Sequence, residues 1–377
     1  MYIGTFTNSP VDNQPLGGLG IYRAELSSSG ADVALTPSVL AVSAVNPSFL
    51  VRHPNLPILY SVRETKGPDV NGSEPGAVCS FAIQNDQSLR LINIQPTGGA
   101  GTTHLTVSSN GRWLLGANYT SGTVAVFPIA ESGEIRPRCQ ILGNCGSSVH
   151  PARQAGPHAH WVGFDPTGDS FWYVDLGLDR LFCYRWNQDQ GKFIPFGALA
   201  VKPGSGPRHL VFPPLDLWKR KPGLIVVNEL AATVEFLNFD PDQPTELGFC
   251  QQSLHVYEDQ IRPKHGSQEL QKPIKAGAGI VLTRNARFLY VSNRDNPGTV
   301  AAFAVNWMES TPLNALQIIS TDGLEPRCIT LDPSERFLLA GNQKTNEIVV
   351  FAVNPQTGKL SRTDARISVP QPSCMVF

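Results

Sequence analysis

The chain has 377 residues, of which 16% are charged and 41% hydrophobic, with 34 glycines, 31 prolines and a formal net charge of -1. That balance suits many short strands joined by tight turns and disfavours long helices. Near-zero charge, with no basic run longer than Lys219 to Lys221, leaves no footprint for a nucleic-acid backbone, so nucleic acid is not expected as a partner.

Read from the start, "MYIGTFTNSP" has neither the basic nor the apolar segment of a leader, and no stretch approaches the roughly 20 apolar residues of a membrane span. A cytoplasmic protein with no membrane association is expected. Six segments then repeat one pattern of strand, turn and strand. They are "NPSFLVRHPNLPILYSVRE", "TTHLTVSSNGRWLLGANY", "HAHWVGFDPTGDSFWYVDLG", "GPRHLVFPP…GLIVVNEL", "GAGIVLTRNARFLYVSNR" and "EPRCITLDPSERFLLAGNQ". Several are followed by another strand, as in "SGTVAVFPI", "LDRLFCYRW" and "NEIVVFAV". Four strands per unit is the signature of propeller blades. A seventh unit is split, "PQPSCMVF" at the C-terminus supplying its opening strand and "MYIGTFT" at the N-terminus the next, so pairing of the two ends closes the ring. The expected fold is all-β, one seven-bladed propeller domain over residues 1–377.

Aligning the units gives two polar columns. The first, opening the innermost strand, holds Ser48, Thr103, His160, Arg208, Ala278, Arg327 and Ser373; the second, ending the next strand, holds Arg63, Asn118, Asp175, Glu229, Asn293 and Asn342. Fifteen residues separate the columns except between Arg208 and Glu229, where "LDLWKRKPG" lengthens the hairpin. Both columns are expected to line one mouth of the central channel. His160, Arg208, Glu229 and Arg294 form the candidate catalytic set, because a carboxylate following the apolar "GLIVVN" needs a buried partner and arginines supply it. Arg153, Gln154, His158, His209, Asn118, Asp175, Asn293, Arg327 and Gln343 are the candidate substrate-binding residues. Asn at the end of a strand also serves simply to satisfy turn backbone.

The i, i+2 pair His158 and His160 raises the possibility of a metal, but a third ligand is lacking and arginines repel a cation. No metal and no cofactor is expected, and no Walker loop, nucleophile elbow or dinucleotide fingerprint occurs. Seven scattered cysteines, Cys79, Cys139, Cys145, Cys183, Cys250, Cys328 and Cys374, read as buried reduced thiols.

Together "YIGTFT", "NPSFL", "GRWLLGANYTSGTVAVFPI", "RQAGPHAH", "VDLGLDR", "GSGPRHLVF", "VNEL", "RFLYVSNR" and "VPQPSCMVF" resemble the seven-bladed propeller lactonases. That family is typified by bacterial 6-phosphogluconolactonase and includes the fungal 3-carboxy-cis,cis-muconate lactonizing enzyme. The resemblance covers nearly the whole chain and implies an active site at His160 of "PHAH", Arg208 of "GPRH", Glu229 of "VNEL" and Arg294 of "SNR". Val281 stands where the phosphogluconolactonases usually have a histidine, and "HVYEDQIRPKHGSQELQKPIK" is long and polar enough to reshape the mouth. The expected activity is hydrolysis of a small acidic lactone, with Glu229 or His160 as general base and arginines stabilising the oxyanion. A cycloisomerase acting on a small dicarboxylate is one alternative, and a non-catalytic binding propeller another.

Overall fold

The computed structural model describes residues 1–9, 14–29, 32–67, 75–187, 189–240, 249–256 and 276–377, the side chains of 249–251 excepted. Seven antiparallel four-stranded sheets form a ring. From the channel outward, blade one is Pro372–Val376, Tyr2–Thr5, Gly20–Arg23 and Val39–Ser43; blade two is Leu50–Arg52, Ile58–Arg63, Ala77–Ile83 and Leu89–Pro96. Blades three to seven begin at the inner strands Thr102–Val107, Ala159–Phe164, Pro207–Val211, Gly277–Leu282 and Pro326–Leu331. The six repeated segments are therefore the two inner strands of six blades. The lengthened hairpin of blade five holds the short helix Leu215–Arg220, whose Trp218 is buried.

Alternation explains how the strands stack. The second strand of a blade is largely apolar on both faces, as in "GLIVVN" and "SFWYVD", and in blades one and four to seven it is wholly buried, because neighbouring blades cover it on both sides. One apolar cluster joins Leu115, Val126, Tyr173 and Phe193 of blades three and four; another joins Tyr290, Val300, Leu338 and Phe351 of blades six and seven. Val281 belongs to the second of these, packed between blades, so the position of the family's usual histidine does not face the mouth here.

Ring closure rests on the two ends of the chain. Tyr2 pairs with Val376, Ile3 with Met375 and Gly4 with Cys374, while the Ser373 hydroxyl donates to the Gly4 carbonyl at 3.0 Å. The Leu50 amide of blade two in turn donates to the Cys374 sulfur at 3.4 Å. Gly4 is required there because a Cβ would meet the Pro47 carbonyl oxygen at 2.2 Å. Cys79, Cys183 and Cys374 are buried free thiols as the sequence suggests, but Cys139 and Cys145 are exposed and Cys328 is only part-buried, correcting the expectation for those three; the side chain of Cys250 lies outside those described.

Deleting residues 372–377 strips blade one of its innermost strand and leaves the edge of Tyr2–Thr5 open to water. The expected result is loss of a cooperative melting transition by circular dichroism; a truncated chain that melts like the full one contradicts closure by this strand.

Candidate active site

The first column is aimed by a repeated defect. In the inner strands the pairing register shifts between Thr102 and His104, Ala159 and Trp161, Pro207 and His209, and Pro326 and Cys328. The residues left out of the ladder are Thr103, His160, Arg208 and Arg327. Each sits on a β-bulge, which frees its side chain from the alternation of the strand and turns it into the channel. Blade six has a wider slip, between Gly277 and Ile280, around Ala278.

The second column needs a correction of register. Asn118, Asp175, Asn293 and Asn342 pair with Thr102, Ala159, Gly277 and Pro326, and the residue that pairs with Pro207 is Asn228, not Glu229. This column is buried scaffold. Asn118 accepts from the Thr102 hydroxyl at 2.7 Å and donates to Thr123 at 3.0 Å; Asn293 accepts from the Ala276 amide at 2.9 Å. Asp175 accepts from the amides of His158, Gly177 and Leu178 at 2.8, 3.0 and 3.1 Å. All three are fully buried and face their own hairpins, not the mouth.

The channel instead receives the residue one step further on. The amides of Glu64, Tyr119, Leu176, Glu229, Arg294 and Gln343 donate to the carbonyls of Asn46, Gly101, His158, Gly206, Ala276 and Glu325, one equivalent rung in each of blades two to seven. Glu229 is the centre of the site. One carboxylate oxygen lies 2.6 Å from Arg153 Nη2; the other lies 2.7 Å from Arg294 Nη2, 3.2 Å from Arg208 Nε and 4.0 Å from His160 Nε2. Burial alone would raise its carboxyl, but Arg294, Arg208, His160 and Arg153 outweigh burial and hold it well below the usual carboxylate range. Glu229 is therefore ionised and a poor proton acceptor.

Arg208, almost fully buried, donates through Nη1 to the Ala278 carbonyl at 2.8 Å and to His209 Nε2 at 3.2 Å. Burial and the repulsion of Arg294 and Arg327 push it down to about 9. Burial first, and Arg208 second, hold the His160 imidazole well below 6.5, so His160 is neutral at pH 7. Its buried Nδ1 has no hydrogen-bond partner among the described residues, and Nε2 stands 4.0 Å from Glu229, beyond hydrogen-bond reach.

The remaining candidates divide. Arg153 also donates to the Tyr119 hydroxyl at 3.1 Å, and the Tyr119 ring stacks on His158 at 4.5 Å while meeting His160 edge-on at 5.4 Å. His158 donates its Nδ1 proton to the Tyr119 carbonyl at 2.9 Å and so props the residue that steadies Arg153. Gln154 spends both ends of its amide on the loop, accepting from the His150 amide at 3.0 Å and donating to the Leu176 carbonyl at 2.9 Å. Gln343 donates to Gln371 at 3.2 Å. His209 and Arg327 line a channel cavity of about 170 Å³ together with Arg208, Ser48, Thr103 and Glu64. Arg327 lies over the Phe6 ring at 5.0 Å, and among the described residues no carboxylate comes within 4.0 Å of it. Residues 257–275, the expected reshaping segment, lie outside the described residues.

Residues 1–377 match the family described as lactonase, 7-bladed beta-propeller. The chain belongs to this lactonase family. It is 32% identical to the 6-phosphogluconolactonase of Bacillus subtilis (strain 168), over 100% of this chain and 97% of that one. Among solved structures it resembles a putative 6-phosphogluconolactonase from Bacteroides uniformis, with a TM-score of 0.81 and 28% identity over 99% of this chain and 97% of that one. The periplasmic gluconolactonase of Pseudomonas aeruginosa gives a TM-score of 0.80 at 28% identity, covering 99% and 96%. No helix among the described residues is long and apolar enough to cross a membrane.

Asp175 occupies a position where four other blades have Asn, and burial pushes its carboxyl up to about 7 despite three amide donors. An acid whose folded pKa is raised binds more protons folded than unfolded, so its stabilisation is present at low pH and is lost as pH rises from about 4 through about 7. Asp175→Asn should remove that loss, raising stability at pH 8 by on the order of 2–4 kcal/mol relative to wild type while matching it near pH 4. Parallel denaturation curves at both pH values check this; a variant equally destabilised at both refutes it.

Proposed function

We propose that this lactonase hydrolyses a small lactone bearing an acidic group, with His160 as the general base. The observation that carries this reading is the charge of the mouth. Four guanidiniums, Arg153, Arg208, Arg294 and Arg327, face one ionised carboxylate, and in Arg208 and Arg327 proton affinity is depressed first by burial and then by neighbouring guanidiniums. A buried surplus of positive charge is complementary to an anion. The names of the relatives, 6-phosphogluconolactonase and gluconolactonase, point the same way.

In this mechanism His160 removes a proton from water as the oxygen attacks the lactone carbonyl, and Arg208 with Arg294 stabilises the developing oxyanion. Glu229 holds those two guanidiniums and Arg153 in place. Arg327, with no carboxylate within 4.0 Å among the described residues and backed by Phe6, anchors the acidic group of the substrate. No step calls for a metal or cofactor; Tyr119, His158 and Gln154 steady the rim. The hydrolase reading is preferred to cycloisomerisation of a dicarboxylate because a neutral base beside fixed cations suits water activation. The cytoplasmic location expected from sequence is not dictated by the fold, since the Pseudomonas relative is periplasmic.

A pH-stat assay on sugar lactones, phosphosugar lactones and muconates tests the class, since hydrolysis releases acid and cycloisomerisation consumes a diene. His160→Asn should lower kcat by roughly a hundredfold or more with little change in KM. Glu229→Gln should change kcat, KM and melting temperature together, because it releases three arginines at once. The wild-type kcat/KM should stay level as pH falls from about 8 past 6.5, because His160 remains neutral there. A fully active His160→Asn beside a dead but normally folded Glu229→Gln transfers the base to Glu229.

A further inference from the structure

Glu64 occupies in blade two the rung that Glu229 occupies in blade five: the Glu64 amide donates to the Asn46 carbonyl as that of Glu229 donates to Gly206. Three blades separate them in a ring of seven, so the two carboxyl groups stand on opposite sides of the mouth. Their surroundings are opposite as well. Glu229 has arginines on both oxygens, whereas Glu64, 8% exposed, receives the Ser48 hydroxyl on Oε2 and has no arginine or lysine within 4.0 Å among the described residues. It nevertheless lines the same cavity as Arg208 and Arg327.

We propose that Glu64 is the general acid of the reaction, donating its carboxyl proton to the ring oxygen of the lactone as that oxygen leaves. The inference rests on the lactonase reading above. Water gives its oxygen to the carbonyl carbon and a proton to His160; the bond from that carbon to the ring oxygen breaks; the departing oxygen keeps the electron pair and takes the proton of Glu64. His160 and Glu64 then differ from their starting states by one proton in opposite senses, and transfer of that proton from imidazolium to carboxylate through water restores both. The proposal requires a substrate that reaches from the cavity lined by Glu64, Arg208 and Arg327 to His160 of blade four. Burial raises the Glu64 carboxyl above its ordinary range against the lowering by Arg327, the Ser48 hydroxyl, Arg208 and Lys66, a shift in the direction an acid needs. Two carboxyl groups driven apart by their environments are the usual mark of divided acid and anionic roles.

The test uses Glu64→Gln and two carboxylated lactones, one a sugar δ-lactone that releases an alcohol and one a dihydrocoumarin that releases a phenol. A phenolate leaves without protonation, so the variant should lose at least about tenfold in kcat on the sugar lactone and less than about threefold on the phenolic one. Equal losses on both, or no loss on either, overturn the proposal. Independently of activity, the infrared difference spectrum of wild type minus Glu64→Gln at pH 7 should contain the C=O stretch of a protonated carboxyl; its absence shows Glu64 ionised and also overturns it. A wild type that turns over neither lactone removes the hydrolase reading and the leaving-oxygen role with it, whatever the infrared result says of the proton.

Discussion

A β-bulge at the same place in the inner strands is the constraint on which the site depends. A regular strand would alternate its side chains between the two neighbouring blades, and no residue of it would be obliged to face the channel axis. The bulge removes one residue from the ladder, and that residue is His160 in blade four, Arg208 in blade five and Arg327 in blade seven. Because neighbouring blades repeat the defect, three blades deliver reactive side chains to one level of the channel. Rigidity comes from the wholly buried second strand behind each of them, so the mouth is built on the stiffest part of the molecule.

Placing several cations at one level has an electrostatic consequence that the site must absorb. Glu229 offsets part of it through short ion pairs with Arg153 and Arg294. Arg208 meets Glu229 at 3.2 Å, yet its Nε has no hydrogen bond of good geometry, its Nη1 being turned to Ala278 and His209. That guanidinium is shared between two blades and the channel, which fits its depressed proton affinity. The same low-dielectric interior keeps His104, His160 and His209 neutral. Histidine and arginine can therefore coexist at close quarters only because the imidazoles give up their protons.

Much of this was legible in the sequence. The repeat, the split terminal blade and the meeting of His160, Arg208, Glu229 and Arg294 follow from period and polarity, since a propeller places equivalent residues at equivalent heights. What escaped was the register. The bulge and the lengthened hairpin of blade five each add residues that spacing alone cannot assign to a strand or a loop, so Glu229 was aligned with Asn118 and Asp175 when its true equivalents are Tyr119 and Arg294. Glu64 was missed for the same reason, hidden behind Arg63. Aligning the apolar runs "ILYSVRE" and "GLIVVNE" at their ends, and not by distance from the inner strand, sets Glu64 on Glu229 directly. Asn118, Asp175 and Asn293, expected as substrate-binding residues, spend their side chains on their own hairpins: Asn118 on the Thr102 and Thr123 hydroxyls, Asp175 on the amides of the following turn and Asn293 on the Ala276 amide.

On the proposed reading, the acidic group of the substrate does more than bind. The basicity of His160 is suppressed first by burial and then by Arg208, and Arg327 adds to the same effect. An anion seated against Arg327 offsets part of that positive potential, so the imidazole becomes a better proton acceptor when the correct substrate is present. The same anion relieves the mutual repulsion of Arg208, Arg294 and Arg327, which would otherwise oppose their convergence on a single oxyanion. Binding energy from a part of the substrate remote from the reacting bond is thereby converted into a stronger base and a better-formed oxyanion site. A neutral lactone of the same shape would enter the mouth and find both suppressed, so discrimination for the acidic group belongs to the chemical step as well as to affinity.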